Sequence, residues 1–271
     1  MDIKIRLEEE KDYFVVENLV RDSFWGVFRE DCDEHLLVHK LRRDKSCVHE
    51  LNFIAEAEGE IVGQIMFSKG QILSADSDFS DSSESSRLYD VLTFGPLSVL
   101  PEYKYKKIGM RLLNHAINEA KKLNYLGIII FGHHDYYAKF GFKNAAEFNI
   151  QTSGGKNFDC FMALELHENA FSEISGKFSD NPIFEMSKDE LSEFEKNFSE
   201  KAKKPLISID IFKDKLPLEI FNIMKENKFT TLANFLYHSE KEFLNLGDID
   251  AESLKIIKNT LENNGYVWGR S

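Results

Sequence analysis

The chain has 271 residues, 42% of them hydrophobic, with 23 phenylalanines and a formal net charge of −12. That apolar content suits one large or two modest packed domains and sets disorder aside, while the acidic balance argues against broad nucleic-acid or anionic-membrane binding. Three widely spaced cysteines (Cys32, Cys47, Cys160) make neither a disulfide framework nor a zinc pattern. With no apolar signal core and no bilayer-length stretch, the expected location is cytoplasmic.

Ile3 to Arg6 reads as a first strand. Apolar positions Tyr13, Val16, Leu19, Val20 and Phe24 give Glu8 to Phe24 the periodicity of a helix. A second helix is expected over Asp33 to Arg43, with Leu36, Leu37 and Leu41 inward. His35 and His39 lie one turn apart on it, as two metal ligands could, but no third ligand is signalled and no metal is expected. Asn52 to Ala57 and Ile61 to Leu73 read as strands around Glu58-Gly59. The serine-rich Ser74 to Arg87 reads as an exposed hairpin loop.

The informative stretch is Gly95 to Phe142. A strand from Val91 to Leu100 contains Gly95-Pro96, and a proline has no N–H for a ladder, so a bulge or splay is expected there. Lys104, Lys106, Lys107 and Arg111 follow around Gly109. From Ile108, the residues Leu112, Ala116, Ala120 and Leu123 mark an amphipathic helix. A buried strand, Leu126 to Phe131, precedes Tyr136-Tyr137-Ala138-Lys139-Phe140-Gly141-Phe142. Unpaired amides at the first turn of such a helix can hold a pyrophosphate. The other reading is an ordinary β-α-β unit with a solvated lysine cluster.

This stretch resembles the acyl-CoA-binding core of the GNAT superfamily of N-acetyltransferases, whose pattern is V-x-P-x-x-Q/R-x-x-G-x-G/A, a helix, a strand and F-Y-x-x-x-G-F. Val99, Pro101, Gly109, Tyr137, Gly141 and Phe142 match, and Tyr136 stands at the family's Phe. Lys104 replaces the usual Gln or Arg and keeps a donor. Lys107 replaces the first glycine of the loop, with weakened rather than abolished binding expected.

The resemblance implies an α+β fold: a mixed, mainly antiparallel sheet with a splayed central strand pair, flanked by helices. It implies acetyl-CoA as co-substrate, without a metal, bound by Leu97, Ser98, Val99, Lys104, Tyr105, Lys106, Lys107, Ile108, Gly109, Met110 and His133. It further implies acetyl transfer to a primary amine of a small molecule or peptide by direct attack in a ternary complex. Tyr137 is the family-matched proton donor to the departing thiolate, with Tyr136 the alternative. Glu34 or His35, on a second helix whose sequence resembles a bacterial subgroup of predicted N-acetyltransferases, is the acceptor-side base. His133 and His134 line the thioester pocket or cap the next helix. The competing reading is a non-catalytic acetyl-CoA sensor acting through its C-terminal helices.

Glu147 to Thr152 and Phe158 to Leu166 read as closing strands, so residues 1–168 form the acetyltransferase domain. Residues 169–205 read as an appendage and linker, with a capping box at Ser187 and Glu190 opening a helix. Residues 206–271 read as a small all-α domain with helices over Pro217 to Asn227, Thr231 to Tyr237, Glu240 to Leu246 and Ala251 to Asn264. Ser239 with Glu242 makes a further capping box, and Asp250 is the expected N-cap of the last helix. This segment resembles the C-terminal domain of bacterial RNA polymerase alpha subunits, of helix-hairpin-helix type. Where that family presents groups to DNA, this chain has Glu219, Asp250 and Glu252, and carboxylates repel phosphate. A protein partner is expected for it, and no DNA or membrane.

Overall fold

The computed structural model describes residues 1–74, 87–179, 181–238, 240–244, 246 and 248–266. In chain order the strands are β1 (Ile3–Leu7), β2 (Phe53–Ala57), β3 (Glu60–Ser74), β4 (Arg87–Val99), β5 (Gly127–Phe131), β6 (Lys143–Asn144), β7 (Ile150–Gln151), β8 (Phe161–Glu165) and β9 (Gly176–Ser179). The helices are α1 (Tyr13–Phe24), α2 (Glu34–Leu41), α3 (Ile108–Ala120), α4 (His134–Tyr137), α5 (Lys188–Phe194), α6 (Leu218–Glu226), α7 (Leu232–Tyr237), α8 (Glu240–Leu244) and α9 (Ala251–Asn263). Among the described residues the strands form one sheet, β1-β2-β3-β4-β5-β8-β6, with β9 on β3 and β7 on β9. The pairs are antiparallel except β4 with β5 and β7 with β9.

The two faces of the sheet are covered by different helices. The stripe of α3 buries Ile108, Leu112, Leu113, Ala116, Ile117 and Ala120 against Ile3, Phe53, Ile65, Phe67 and Leu92. At about 1.5–3 kcal/mol for each large side chain taken from water, this contact anchors the helix firmly. On the other face α1 and α2 pack Val16, Leu19, Val20, Val38 and Leu41 on Ile54 and Met66. A separate apolar cluster, from Ile209 to Leu261, is built wholly from the C-terminal segment, its helices and the turns between them.

Several local expectations need adjustment. Helix α1 starts at Tyr13 rather than Glu8, because the Asp12 carboxylate accepts from the Glu9 N–H (2.9 Å) and pairs with Arg6 (2.6 Å), which favours a tight turn first. The strand expected over Glu147 to Thr152 shrinks to Ile150–Gln151. The Asn144 side chain accepts from the Ala146 N–H and starts a turn, and Asn149 sits at φ 57°. The strand expected over Phe158 to Leu166 shortens to β8. β9, inside the stretch read as an appendage, pairs with Gln71 to Leu73 of β3. The capping box at Ser187 and Glu190 is formed, and Asp250 accepts from the Ser253 N–H at 2.8 Å. Ser239 and most of the serine-rich loop lie outside the described residues.

Candidate active site

β4 and β5 share one residue pair, Leu92 with Ile128. Beyond it, β4 continues to Val99 and β5 to Phe131 without pairing each other, so the sheet opens into a V. The cause lies in β4. Ile65 faces Leu97 and Phe67 faces Phe94, which leaves Gly95-Pro96 opposite the single residue Met66. That extra residue is the bulge expected from the proline. Gln64 holds it: its buried amide donates to the Pro96 carbonyl (2.9 Å) and to Ser98 Oγ (3.0 Å). Ser23 of α1 fixes the end of the strand, with its hydroxyl donating to the Val99 carbonyl at 3.1 Å.

The floor of the V is the turn into α3. Lys107 caps this helix at φ 61°, ψ 20°, a left-handed conformation, and Tyr105 is also left-handed at φ 65°. The family's glycine at position 107 therefore has a backbone reason, and Lys107 stands there as a strained cap. Lys106 lies over the Tyr103 ring, 4.3 Å from its centroid. Ile108 is buried in the core beneath, and a Cβ built on Gly109 would stand 3.7 Å from Val99 and 4.0 Å from Leu97. Leu97, Val99 and Gly109 thus converge, with Ser98 turned to Gln64 on the opposite face. Met110 follows in the first turn of α3.

The walls come from the turn after β5. The ring of Tyr137 packs on Phe94 of β4 (5.8 Å) and on Phe142 (5.7 Å). It fits because residue 132 is glycine; a Cβ there would collide with the ring. The Tyr136 hydroxyl instead reaches the first turn of α3, 3.3 Å from where a Cβ on Gly109 would be. Burial raises its pKa to about 12. The His133 carbonyl accepts from the N–H groups of Tyr136 (3.0 Å) and Tyr137 (3.1 Å), so its backbone does the capping. His133 is buried, 6% exposed, with the His238 backbone beside its ring. Burial holds its pKa below the usual value, against the neighbouring Asp135, the His238 backbone and Glu242. His134 is partly exposed beside Asp135.

On the α1–α2 side, burial pushes the Glu34 carboxyl up to about 7. His35 is fully buried. Its Nε2 lies 2.8 Å from Glu195, its Nδ1 3.5 Å from Cys32 Sγ, and burial pulls its pKa down to about 4. The same Glu195 takes two hydrogen bonds from Arg21 (2.7 and 3.1 Å). His39 is spent on Glu17 at 2.9 Å. Among the described residues no three metal-ligating side chains converge. Sequence reasoning missed Gln64, the single polar residue in the run Ile61 to Phe67, and Gly132, for which only the neighbouring aromatics hinted at crowding.

Residues 49–144 match the family model described as an acetyltransferase (GNAT) domain, a span that holds the V, α3 and the paired tyrosines. The fold is the GNAT fold. Two similar curated proteins are uncharacterized N-acetyltransferases of Escherichia coli K12. YjhQ is 29% identical over 110 residues, 41% of this chain and 55% of its own length. YhbS is 24% identical over 173 residues, 64% of this chain and 92% of its own. The GNAT fold is shared with the crystal structure of E. coli YhbS in complex with CoA (TM-score 0.53, 23% identity), covering 67% of this chain and 91% of that one. It is shared too with a GNAT family acetyltransferase from Brucella melitensis in complex with acetyl-CoA (TM-score 0.50, 22% identity), covering 68% and 99%. No helix of the described residues is long and apolar enough to cross a membrane.

Proposed function

We infer that this chain is an acetyl-CoA-dependent N-acetyltransferase that passes the acetyl group to a primary amine of a small molecule or peptide by direct attack in a ternary complex. The observation that carries the reading is the V between β4 and β5, closed below by the lysine-rich turn into α3. Two proteins of this fold were crystallised with CoA or acetyl-CoA, which supports the same co-substrate here. The extended pantetheine arm would lie in the V, its amides against strand backbone that has no partner strand, and its pyrophosphate at the N-terminal turn of α3.

In this reading an N–H among Leu97 to Val99 polarises the thioester carbonyl. The amine attacks that carbon, the C–S bond breaks, and Tyr137 gives its proton to the departing thiolate. Glu34 takes the proton that the amine sheds, since a carboxyl near pH 7 is matched to that task, whereas His35 is locked to Glu195. Holding thioester and amine together supplies the larger share of the rate. The acidic surface favours a cationic amine as acceptor. The C-terminal helices are read as a separate unit that docks a protein rather than DNA, with Asp250 already used as a helix cap.

The test is acetyl-CoA consumption with release of free thiol, across polyamines, aminoglycosides, amino acids and peptides, beside thermal unfolding with acetyl-CoA, NAD and ATP. Acetyl-CoA alone should raise Tm, and at least one amine should be acetylated. A Tm shift without turnover on any acceptor would replace this reading with that of a sensor.

A further inference from the structure

Residues 201–205, a linker by sequence, are laid along the turn that follows α1. The Trp25 indole N–H donates to the Ala202 carbonyl (2.9 Å), and the Lys204 N–H donates to the Glu30 carbonyl (2.9 Å). Lys201 pairs with Asp22 (2.5 Å) and Lys203 with Asp31 (3.4 Å). Lys204 is treated differently. Its stem lies on Gly26, where a Cβ would stand 2.6 Å from the Lys204 Cβ and Cδ, and Gly26 is left-handed at φ +71°. Only a glycine meets both conditions, and so the Lys204 stem is seated.

The same turn is tied to the end of β4 through Ser23 and Val99. Lys104 follows five residues later, near enough to Lys204 for the charge of one to act on the other. Burial and then the charge of Lys204 hold the Lys104 pKa below its usual value. Among the described residues no carboxylate lies within ion-pair reach of Lys104, Lys106, Lys107 or Lys204, although the other two lysines of the strap each have one. Three lysines of the turn into α3 and Lys204 near Lys104, none with a carboxylate partner among the described residues, call for an anion in a chain of net charge −12.

We propose that Lys204, from outside the matched acetyltransferase segment, completes the pyrophosphate site of CoA, with Lys104 and Lys204 closing on the diphosphate from two sides. This rests on the acetyl-CoA reading above. It makes the strap part of the co-substrate site, so that the segment after α5 contributes to binding as well as to packing. Neutralising Lys204 removes one charge-assisted contact and one released counter-charge, while a Met keeps the stem on Gly26.

Titration calorimetry of the full chain with CoA and with 3′-dephospho-CoA separates the possibilities. Lys204→Met should weaken both ligands about tenfold, Lys204→Arg should stay near wild type, and Lys203→Met should change either by less than about twofold. The wild-type affinity should fall with salt more steeply than that of Lys204→Met. CoA binding by Lys204→Met at wild-type strength overturns the proposal. So does a loss confined to CoA with dephospho-CoA unaffected, which would move the contact to the 3′-phosphate. Wild-type protein that binds neither ligand would sink the acetyl-CoA reading itself, and this proposal with it.

Discussion

The phenol oxygen of Tyr136 rests against Gly109, 3.3 Å from the place a β-carbon would take on that residue. The first turn of α3 therefore has two properties at once: backbone bare enough for an anion to approach, and a hydroxyl standing over it. Adding bulk at 109 should fill that space without touching the buried stripe of the helix. Gly109→Leu is expected to lower acetyl-CoA affinity by at least about tenfold, while Tm stays within a few degrees of wild type. Calorimetry and thermal unfolding of the same sample check this. A large fall in Tm would mean that residue 109 matters for packing.

Lys107 carries a second, separable burden. A left-handed non-glycine residue costs about 1–2 kcal/mol, and a glycine replacing it costs about 0.5–1 kcal/mol in chain entropy, so the two nearly offset. Lys107→Gly should leave Tm within about 2–4 °C. A β-branched residue is worse in that region, and Lys107→Val should lower Tm by at least as much again. Equal Tm values for the two variants would show that the turn has another conformation in solution.

Tyr137 and Tyr136 can be told apart by turnover. Tyr137→Phe keeps the ring that packs on Phe94 and removes the proton, so acetyl-CoA binding should survive while turnover falls about 10²- to 10⁴-fold. Tyr136→Phe should act on affinity more than on turnover. If Tyr137→Phe is silent, the thiolate is protonated by another group.

The raised pKa of Glu34 has a stability consequence of definite sign. Between its ordinary value of 4.5 and about 7 the unfolded chain has lost this proton and the folded chain retains it. The folded state then binds more protons, so this group makes stability fall as pH rises through that window, with no penalty below 4.5. Glu34→Gln imitates the protonated form. Its Tm should equal that of wild type near pH 4.5 and exceed it increasingly up to pH 8. Its turnover should lose the rise with pH near 7 expected of a general base. A parallel Tm difference at all pH values would remove the burial argument.

Much of the GNAT core could be read from sequence because its signals are local. The α3 stripe repeats at helical spacing, Gly95-Pro96 interrupts a ladder, and the apolar run after Leu126 is too short for anything but a buried strand. What escaped is non-local. β9 offers one inward residue, Phe178, and its partner on β3 is about a hundred positions away. The seat of Lys204 depends on a glycine far earlier in the chain, and Gln64 looks unremarkable until Pro96 is placed beside it. Asn149 closes a turn and delays the start of a strand that alternation alone would have begun at Glu147. The two tyrosines could be located in the motif but not oriented, since orientation follows from Gly132 and Gly109.

The pairing of β9 with β3 bears on how this chain can be cut. A fragment ending at residue 168 keeps every strand of the acetyltransferase V yet leaves Gln71 to Leu73 without their partner on one side. Phe178 also leaves its place over Gly70, where a Cβ would stand 2.6 Å from its ring. Such a fragment presents a ready-made edge to its own copies, and open strand edges of this kind recruit neighbours into mixed sheets. Residues 176–179 act as a built-in edge guard, and any shortened fragment of the sheet has to extend past them to remain monodisperse.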